Sequence, residues 1–469
     1  MRNFFNKLYG NGVILANLRG QRRVPYLPEE ELRALRDARV GRIARYAAET
    51  VPYYRRLFQS EKVHPRDIRT VGDLDRLPFI DKDVVRKDPN LFVSTSRKVK
   101  KSIPFVTSGS TGVRLQVYHD PHSLLANFAF GEREREVVSR ICGRPLGYRE
   151  LHIGYPGSTV EKLLNFYEKA TFIPVRPERV SLSVLEPVEH IVKAINRFRP
   201  DVIRSYGSYL ETLFRVLALR GIQMHLPRML IYGADSMTVG GRSLIEEKFG
   251  VPVHSIYNAV EAFKIGFSCE ARRGFHLHDD LCHVRIVNGS GQKLASGEKG
   301  EVVICNLINR GTVLLNYRLG DIASLSTEKC PCGRTLPLLS ELEGRVEDII
   351  FLPDGKFVHP RVIWGVFKHR TEVLSYQLIQ HEPERFELRI VTLDKQTYMR
   401  VIAGTLADLR RLLGDSVVID SGYYRELETQ GAGKFRPVMS LCKKGGSYDR
   451  RGSGGAQKMS SASAGTPDE

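Results

Sequence analysis

A short stretch rich in glycine and hydroxyl residues has the composition of an anion-binding loop. It reads Thr107-Ser108-Gly109-Ser110-Thr111-Gly112 and follows the apolar run 103–106. Glycines let the backbone approach an anion closely, and hydroxyl and amide groups supply hydrogen-bond donors. The Gly-Lys-Ser/Thr ending of a Walker loop is absent. A plain surface turn has the same composition, so this stretch alone leaves both interpretations open.

Further segments place reactive side chains beside turns, in a fixed order along the chain. Two of them follow apolar strand patterns, one lies at a proposed domain boundary, and the last contains a glycine-flanked lysine. They are Gly233-Ala234-Asp235, Tyr257-Asn258-Ala259-Val260-Glu261, Gly320-Asp321, Gly344-Arg345 and Gly433-Lys434. A lysine and a carboxylate of this kind suit phosphate chemistry, because a point charge and a Mg²⁺ ligand can both offset anionic charge.

These six motifs, in this order, resemble the adenylate-forming superfamily of acyl- and aryl-CoA synthetases. The resemblance is strongest to the phenylacetate–CoA ligase branch, including its capsule-biosynthesis relatives, and extends from residue 30 to residue 442. It implies an ATP-dependent, AMP-forming ligase that activates an aryl or acyl carboxylate as an acyl-adenylate and transfers it to CoA. The same chemistry could instead pass the acyl group to an amine, a sugar or an acidic carrier protein.

The resemblance also implies roles for individual residues. Lys434 would be the catalytic lysine, although most lysines are simply solvated surface residues. Glu261 would hold Mg²⁺ with the phosphates of ATP, and Asp321 would accept hydrogen bonds from the ribose. Arg345 would contact ribose and phosphate at a hinge, or form an ordinary interdomain salt bridge. The hinge position itself falls on Glu347.

The remaining nucleotide contacts implied by the resemblance come from two strand ends. Tyr257 would stack on adenine beside Asn258, and Gly233, Ala234 and Asp235 would form a wall of the same pocket. For Asp235, capping the next helix is the local alternative. The segment 257–261 lacks the glycine and the hydroxyl that usually precede the glutamate of this motif. The identity of the carboxylic acid substrate therefore stays open. Tyr155 and the segment 205–208 are candidates for the acid pocket, or core residues.

A compact Cys-x-Cys pair, Cys330 and Cys332, suggests either a reduced structural pair or part of a metal site. Three thiolates and one imidazole would make a closed, structural zinc site, and the ligase branch carries a similar pattern. By that resemblance the ligands are Cys269, His276, Cys330 and Cys332. His278, Cys282 and His283 are rival ligands nearby in sequence. Cys142, Cys305 and Cys442 resemble buried apolar fillers.

The pattern of the whole chain predicts an α/β fold. Short apolar runs alternate with helical patterns between residues 100 and 305, which indicates a largely parallel sheet, and β-rich segments follow. We expect a large AMP-binding domain with mixed sheets at residues 1–345 and a small, mobile α+β lid domain at 346–442. The Gly/Ser-rich tail, residues 443–469, is expected to be disordered.

Charge and composition narrow the classes of partner. Basic residues number 71 and acidic residues 53, a net charge of +18 that favours nucleotides, CoA or another polyanion. A nucleic-acid binder is the competing class, but the basic residues are dispersed and no reading motif is present. No apolar run is long enough to span a bilayer, and the cysteine usage predicts a reducing cytosol.

The basic segment 1–27 has two readings. It could be an amphipathic anchor on anionic lipid, or a helix packed on its own domain, and its short apolar face favours packing. No pattern in the sequence indicates the oligomeric state of the protein.

Overall fold

The structure is a computed structural model that describes most of the chain. The described residues are 2–99, 101–107, 115–145, 147–173, 178–235, 237, 239–343, 350–354, 356–358, 360–367, 370, 372–373, 375–425, 427 and 437–442. Within these ranges, none of the helices combines the length and apolar character that crossing a bilayer requires.

Helices make up most of the N-terminal third and flank the sheets thereafter. Several begin at a side-chain cap; Ser158 and Asp394, for example, accept hydrogen bonds from the amides of Glu161 and Thr397. The helices are α1 (Arg2–Leu18), α2 (Glu29–Thr50), α3 (Pro52–Ser60), α4 (Lys82–Lys87), α5 (Pro121–Phe130), α6 (Glu132–Cys142), α7 (Thr159–Ala170), α8 (Val188–Phe198), α9 (Gly207–Arg220), α10 (Val239–Ser243), α11 (Pro360–Phe367) and α12 (Lys395–Leu413).

The strands form one large sheet, one smaller sheet and two short hairpins. They are β1 (Ile103–Val106), β2 (Gln116–His119), β3 (Glu150–Gly154), β4 (Arg179–Ser183), β5 (Val202–Ser205), β6 (Met229–Tyr232), β7 (Val253–Ala259), β8 (Ala262–Phe267), β9 (Phe275–Leu277), β10 (Cys282–Val287), β11 (Gly300–Asn306), β12 (Tyr317–Leu325), β13 (Leu338–Glu343), β14 (Ile350–Phe351), β15 (Phe357–Val358), β16 (Ser375–Glu382), β17 (Arg385–Val391), β18 (Val418–Tyr424) and β19 (Val438–Ser440).

The large sheet has eleven strands in the order β10-β11-β12-β13-β9-β8-β7-β6-β5-β3-β4. Strands β4, β3, β5, β6 and β7 run parallel. The buried apolar sequences of β3, β5 and β6 predict this arrangement, whereas β4 has no fully buried residue. From β7 onward every pairing is antiparallel. The mixed α/β fold predicted from the sequence is therefore confirmed, and β7 is the strand at which one half of the sheet meets the other.

The C-terminal part contains the smaller sheet, with strand order β18-β17-β16-β19. The sequence predicts β16, β17, α12 and β18 here, and all four are present, but β19 was missed. Phe386 and Leu388 of β17 and Leu409 of α12 are fully buried, in a core cluster that also contains Ile203 and Leu210 of the parallel half. The domain boundary at residue 345 falls in 344–349, outside the described residues, and so stays a prediction. The tail, 443–469, also lies outside them.

Helix α1 packs against α5 and α7 through one of its faces. This is what the alternative of a helix packed on its own domain predicts for that face. Val13 and Ile14 are buried against Leu125 and Ala129 of α5. A Cβ at Gly10 would collide with the carbonyl oxygen of Ala170, so the backbones of α1 and α7 approach closely at this glycine. The opposite face of α1 is exposed.

Candidate functional site

A cavity of about 600 Å³ opens at the carboxyl ends of the parallel strands. Each of four strands delivers residues to its wall from the loop that follows it: Tyr155 after β3, Tyr206 after β5, Asp235 after β6 and Glu261 after β7. Parallel α/β sheets bind ligands at this edge, because the loops there converge. The antiparallel half adds Asp321 of β12 to the same wall. The cavity thus lies at the junction of the two halves of the sheet.

The residues predicted from the sequence to bind nucleotide largely meet in this cavity. Of the described ones, all line its wall except Gly233, which lies against Ile256 with no room for a Cβ: Thr107, Ala234, Asp235, Tyr257, Asn258, Glu261 and Asp321. Their roles toward a nucleotide stay predictions. Ser108, Gly109, Ser110, Thr111, Gly112, Arg114, Arg345, Glu347 and Lys434 lie outside the described residues.

Asp235 caps a helix, but a different helix from the one that its sequence neighbours suggest. Its carboxylate accepts a hydrogen bond from the amide of Gly207 at 2.5 Å and another from the hydroxyl of Ser208. These two groups lie at the start of α9, so the negative charge meets the positive end of that helix. In the first turn of α9, Glu211 pairs with Arg215 at 2.9 Å.

The backbone at the end of β6 is held in an uncommon conformation. Ala234 has a φ of 71°, in the left-handed region that residues with a Cβ rarely adopt. It lies between Gly233, packed on Ile256, and Asp235, which is fixed by α9. Strained residues of this kind are common at functional sites, where the surrounding structure enforces them. The turn therefore presents Ala234 and Asp235 to the cavity in one fixed arrangement.

Tyr257 links the two halves of the sheet through its hydroxyl group. It donates a hydrogen bond to Oδ2 of Asp321 at 2.8 Å, and its ring contacts Phe275 with centroids 6.0 Å apart. Only 6% of Tyr257 is exposed. Besides the predicted contact with adenine, Tyr257 therefore has a second function, which is to orient the carboxylate of Asp321.

Glu261 is a largely buried carboxylate at the cavity wall, with 6% of the residue exposed. The hydroxyl of Tyr317 donates to its Oε1 at 3.2 Å, and the side-chain amide of Asn306 donates to its backbone carbonyl at 2.8 Å. One residue earlier, Nε2 of His119 lies 2.7 Å from the carbonyl oxygen of Val260. Burial lowers the pKa of His119 to about 4, so the ring is neutral and can donate this hydrogen bond.

The predicted phosphate loop joins two paired strands. Thr107 follows β1, and its amide donates to the carbonyl of Leu115 at 2.9 Å. The amide of Leu115 in turn donates to the hydroxyl of Thr107 at 3.0 Å. These two hydrogen bonds close the β1–β2 hairpin at the base of the loop, and Thr107 lines the cavity. The hairpin therefore places Thr107, the last described residue before the predicted phosphate loop, at the cavity wall.

Positive side chains surround the cavity that sequence reasoning did not single out. Lys264 pairs with Glu134 at 2.6 Å, and Arg272 pairs with Glu246 at 2.5 Å. Lys82, Arg242 and Arg273 also line the wall. Nothing in the local sequence of Lys82, Arg242 or Lys264 distinguishes these three from other basic residues in this chain. A signal does exist for Arg272 and Arg273, which lie between Cys269 and His276 and are positioned by that segment.

Aromatic and apolar side chains also line the cavity. Tyr155 and Tyr206, both candidates from the sequence, are joined by a hydrogen bond of 3.3 Å from the amide of Tyr155 to the hydroxyl of Tyr206. Trp364 of α11 meets Tyr155 edge to face, with ring centroids 6.4 Å apart. Val160 and Leu163 of α7 complete this part of the wall. The positions of Trp364 and α7 at the cavity could not be predicted from the sequence, because only tertiary packing brings them there.

Four side chains predicted to bind zinc converge beside the cavity. Sγ of Cys269 lies 3.5 Å from Sγ of Cys330, and Sγ of Cys332 lies 3.2 Å from Nε2 of His276. All four possible ligand atoms lie within 4.8 Å of one another. Zn–S bonds of about 2.3 Å in a tetrahedron place two sulfurs about 3.8 Å apart, so this donor set suits a structural zinc ion.

The thiols of the cluster and the rival ligands support that choice. Burial raises the pKa of Cys269 to about 12, so without a cation it would stay protonated. His278 instead lies 3.5 Å from Glu134, and His283 lies 2.6 Å from Asp279. Cys282 is buried in the main core, away from the cluster.

All seven cysteines are free thiols. Cys142 and Cys305 are buried, as expected, but Cys442 is partly exposed and the expectation of a buried filler is wrong for it. It follows the short strand β19 near the end of the described residues.

Comparison with known proteins gives consistent relatives. The chain is 30% identical to the phenylacetate–coenzyme A ligase of Thermus thermophilus over 363 residues, which are 75% of this chain and 79% of that protein. It is 26% identical to the enzyme of the same name from Aromatoleum evansii, over 79% of this chain and 80% of the relative. No family model matches.

Solved structures agree on the fold. A 2-hydroxyisobutyryl-CoA ligase in its postadenylation state superposes with a TM-score of 0.59, at 16% identity, covering 89% of this chain and 91% of that chain. The same ligase in an open conformation, bound to 2-HIB-AMP and CoA, gives a TM-score of 0.57.

Proposed function

This chain belongs to the phenylacetate–coenzyme A ligase family and is an AMP-forming acid–CoA ligase, and we propose that its acid substrate is an aryl or arylalkyl carboxylate. The enzyme activates the carboxylate with ATP as an acyl-adenylate, releasing pyrophosphate, and then transfers the acyl group to the thiol of CoA with release of AMP. The single observation that carries the substrate class is the cavity, whose wall combines carboxylates with several aromatic side chains.

The polar residues of the cavity wall suit a nucleotide. Asp321, oriented by Tyr257, would accept hydrogen bonds from the ribose hydroxyls. Thr107 and the following loop would supply donors to the phosphates. Glu261 would hold Mg²⁺, since a hard cation prefers carboxylate oxygen, and the ion would offset phosphate charge during the attack. The buried hydroxyl of Tyr317 keeps this carboxylate in place.

Lys434 is proposed as the catalytic cation of the first step. Joining a carboxylate to the α-phosphate brings two anions together, so a positive charge at the reacting oxygens lowers the barrier. We place Lys434 in a small lid domain, residues 346–442, that turns about the segment containing Arg345 and Glu347 between the two steps. The lysine and the hinge would then serve different half-reactions.

The aromatic and apolar residues of the cavity wall suit an aromatic acid. Tyr155, Tyr206 and Trp364 offer ring faces and edges to a flat substrate, and Val160 and Leu163 close the pocket from α7. Aromatic groups pack on one another in edge-to-face and offset arrangements, which favours an aryl ring over a short polar acid.

Zinc is proposed as a structural ion at Cys269, His276, Cys330 and Cys332. A four-ligand site leaves no open position for substrate, so the ion has no catalytic step. It would fix the segment between Cys269 and His276 beside the cavity.

The test is pyrophosphate release across a panel of carboxylic acids, with and without CoA. We expect aryl and arylalkyl acids to be turned over best, and thioester to form only when CoA is present. Lys434→Ala should slow adenylation by about 100-fold or more, the usual effect of removing a transition-state charge contact, yet spare thioester formation from a supplied adenylate.

Two results would contradict the proposal. Preference for short aliphatic acids over every aromatic acid would exclude the substrate class. Loss of both half-reactions in a folded Lys434→Ala protein would exclude the role of the lysine. Pyrophosphate release without thioester in the presence of CoA would instead indicate an amine, a sugar or a carrier protein as acceptor. Lys299→Ala, in a loop of the antiparallel half, serves as the matched surface control.

A further inference from the structure

Helix α1 has two apolar faces, and the described part of the chain covers only one of them. Val13 and Ile14 face α5, whereas Phe4, Leu8 and Leu15 project on the opposite side with 56%, 47% and 60% exposure. The positions i, i+4 and i+11 fall on one side of a helix. Phe5 and Tyr9 flank them and are also exposed. An uncovered stripe of this size on a helix is an interaction surface rather than part of the core.

The orientation of α1 is fixed, so the stripe cannot turn inward. Gly10 is pressed against Ala170 at the end of α7, where any side chain would collide with the backbone. The adjacent Asn11 accepts hydrogen bonds from the amide of Phe172 at 3.0 Å and from the hydroxyl of Thr171. Phe172 itself is 47% exposed and contacts Phe4 with ring centroids 5.6 Å apart. It therefore extends the outer surface of α1 beyond the helix.

The charges of the N-terminal segment itself are of one sign. Residues 1–28 contain five basic residues and no acidic residue. Lys7 lies over the ring of Phe172, with Nζ 5.1 Å from the ring centroid, and Arg19 and Arg23 are exposed. Arg22 pairs with Glu132 and contributes less. Aromatic and leucine side chains bordered by cations suit the headgroup region of an anionic bilayer.

We propose that the outer face of α1, together with Phe172, docks this enzyme on the surface of anionic phospholipid membranes. The apolar side chains enter the interface while Lys7, Arg19 and Arg23 contact phosphate headgroups. A second copy of the chain is the less favourable occupant. In a two-fold symmetric dimer each patch meets itself, so the same cations would face one another without an acidic residue from α1 to offset them.

The experiment is co-sedimentation of the full-length protein with vesicles. Vesicles of phosphatidylcholine alone are compared with vesicles that also contain phosphatidylglycerol, at low and at high salt. We expect binding to the anionic vesicles only, weakened by salt. The triple variant Phe4→Ser, Leu8→Ser, Leu15→Ser should bind at least about tenfold more weakly, because it loses most of the inserted apolar area.

Matched controls separate this effect from unfolding and from general charge. Leu219→Ser and Leu393→Ser remove leucines that are 86% and 81% exposed elsewhere, and should leave vesicle binding unchanged. Lys7→Gln with Arg19→Gln keeps the apolar stripe and should weaken binding to anionic vesicles. The triple variant should keep wild-type circular dichroism and ligase activity.

Three outcomes would overturn the proposal. The wild type could fail to sediment with anionic vesicles at low salt. The triple variant could bind as tightly as the wild type. Light scattering could instead find a dimer that the triple variant converts to monomer, which would assign the surface to a second copy.

Discussion

The carboxylate of Glu261 is nearly buried, and a charged group in that setting depends on its hydrogen-bond donors. Tyr317 supplies one donor directly, while His119 and Asn306 fix the backbone on either side of the glutamate peptide. The cost of burying the carboxylate is thereby reduced before any ligand arrives. A residue prepared in this way can meet a cation without rearrangement.

Replacing Tyr317 with phenylalanine tests that interpretation. The ring would still fill its buried position, while the donor to Glu261 is lost. We expect the KM for MgATP to rise about fivefold to tenfold, in line with the roughly 1–1.5 kcal/mol that a typical intramolecular hydrogen bond contributes. Steady-state kinetics at varied Mg²⁺ measure it. Tyr53→Phe, which leaves Glu261 untouched, is the control, and an unchanged Mg²⁺ dependence in Tyr317→Phe would refute the role.

At this scale the sequence predicts some residues well and others not at all. Tyr257, Glu261 and Asp321 stand at strand ends, and their order along the chain matches a known pattern. Arg242 and Trp364 reach the cavity only through packing of distant segments. No local pattern marks such residues, because their position depends on the complete fold.

At the scale of elements, the segment between β8 and β9 joins the predicted zinc site to the cavity. Cys269 and His276 lie near its two ends, while Arg273, Gly274 and Phe275 line the cavity wall between them. Gly274 has a φ of 147°, and a Cβ there would collide with the carbonyl oxygen of Leu339. The segment therefore lies tightly on β13, and the metal cluster would hold its ends.

Cys330→Ser should therefore release the metal and loosen this segment. We expect about one zinc per chain in the wild type and almost none in the variant. Loss of a structural metal should lower Tm by several degrees and raise the KM for ATP, because the cavity wall becomes less ordered. Elemental analysis and thermal unfolding measure both. Cys442→Ser, outside the cluster, should match the wild type, and full zinc content in Cys330→Ser would reject the site.

The elements themselves were largely predictable. The strands β3, β5 and β6 follow from apolar runs, since a parallel strand buried on both faces needs no alternation. Strands β4 and β19 were missed, because each is short and β4 has no fully buried residue to mark it. The cap of α9 by Asp235 could not be predicted, since 27 residues separate Asp235 from Ser208, to which it bonds.

Across the whole molecule, several acidic side chains are buried among arginines. Glu150 at the start of β3 is 1% exposed and pairs with Arg204 at 3.0 Å and with Arg179. Burial acts to raise the pKa of Glu150, but the two arginines outweigh it and lower the pKa to about 2. Asp280 is held between Arg133, at 2.7 Å, and Arg39, and its pKa is likewise far below the usual value.

These pairs predict acid sensitivity of a definite sign. The pKa of Glu150 is lower in the folded state than in the unfolded state. Its contribution to the free energy of unfolding is therefore complete above pH 4.5 and is lost as the pH falls toward 2. The stability difference between the wild type and Glu150→Gln should therefore narrow by about 2 kcal/mol between pH 7 and pH 3. Urea unfolding at both pH values measures it. Glu298→Gln, an exposed control, should give a constant difference, and so would Glu150→Gln if the pairing were unimportant.

The sequence predicts the overall mixed α/β fold and places most of the polar wall of one cavity. Where the two halves of the sheet meet depends on the choice of neighbour for β7, which strand patterns do not encode. The net charge of +18 likewise follows from the sequence alone. Which arginines pair with buried carboxylates could be seen only in the structure.

Trp364 is the only tryptophan in the chain, and it stands in the wall of the cavity beside Tyr155. The neighbouring Gly365 allows this approach, because a Cβ there would collide with the hydroxyl of Tyr155. Light absorbed by indole alone is therefore emitted from one known place. The native protein thus carries its own optical reporter, whose emission wavelength and quenching follow the arrival of an aromatic acid without any label.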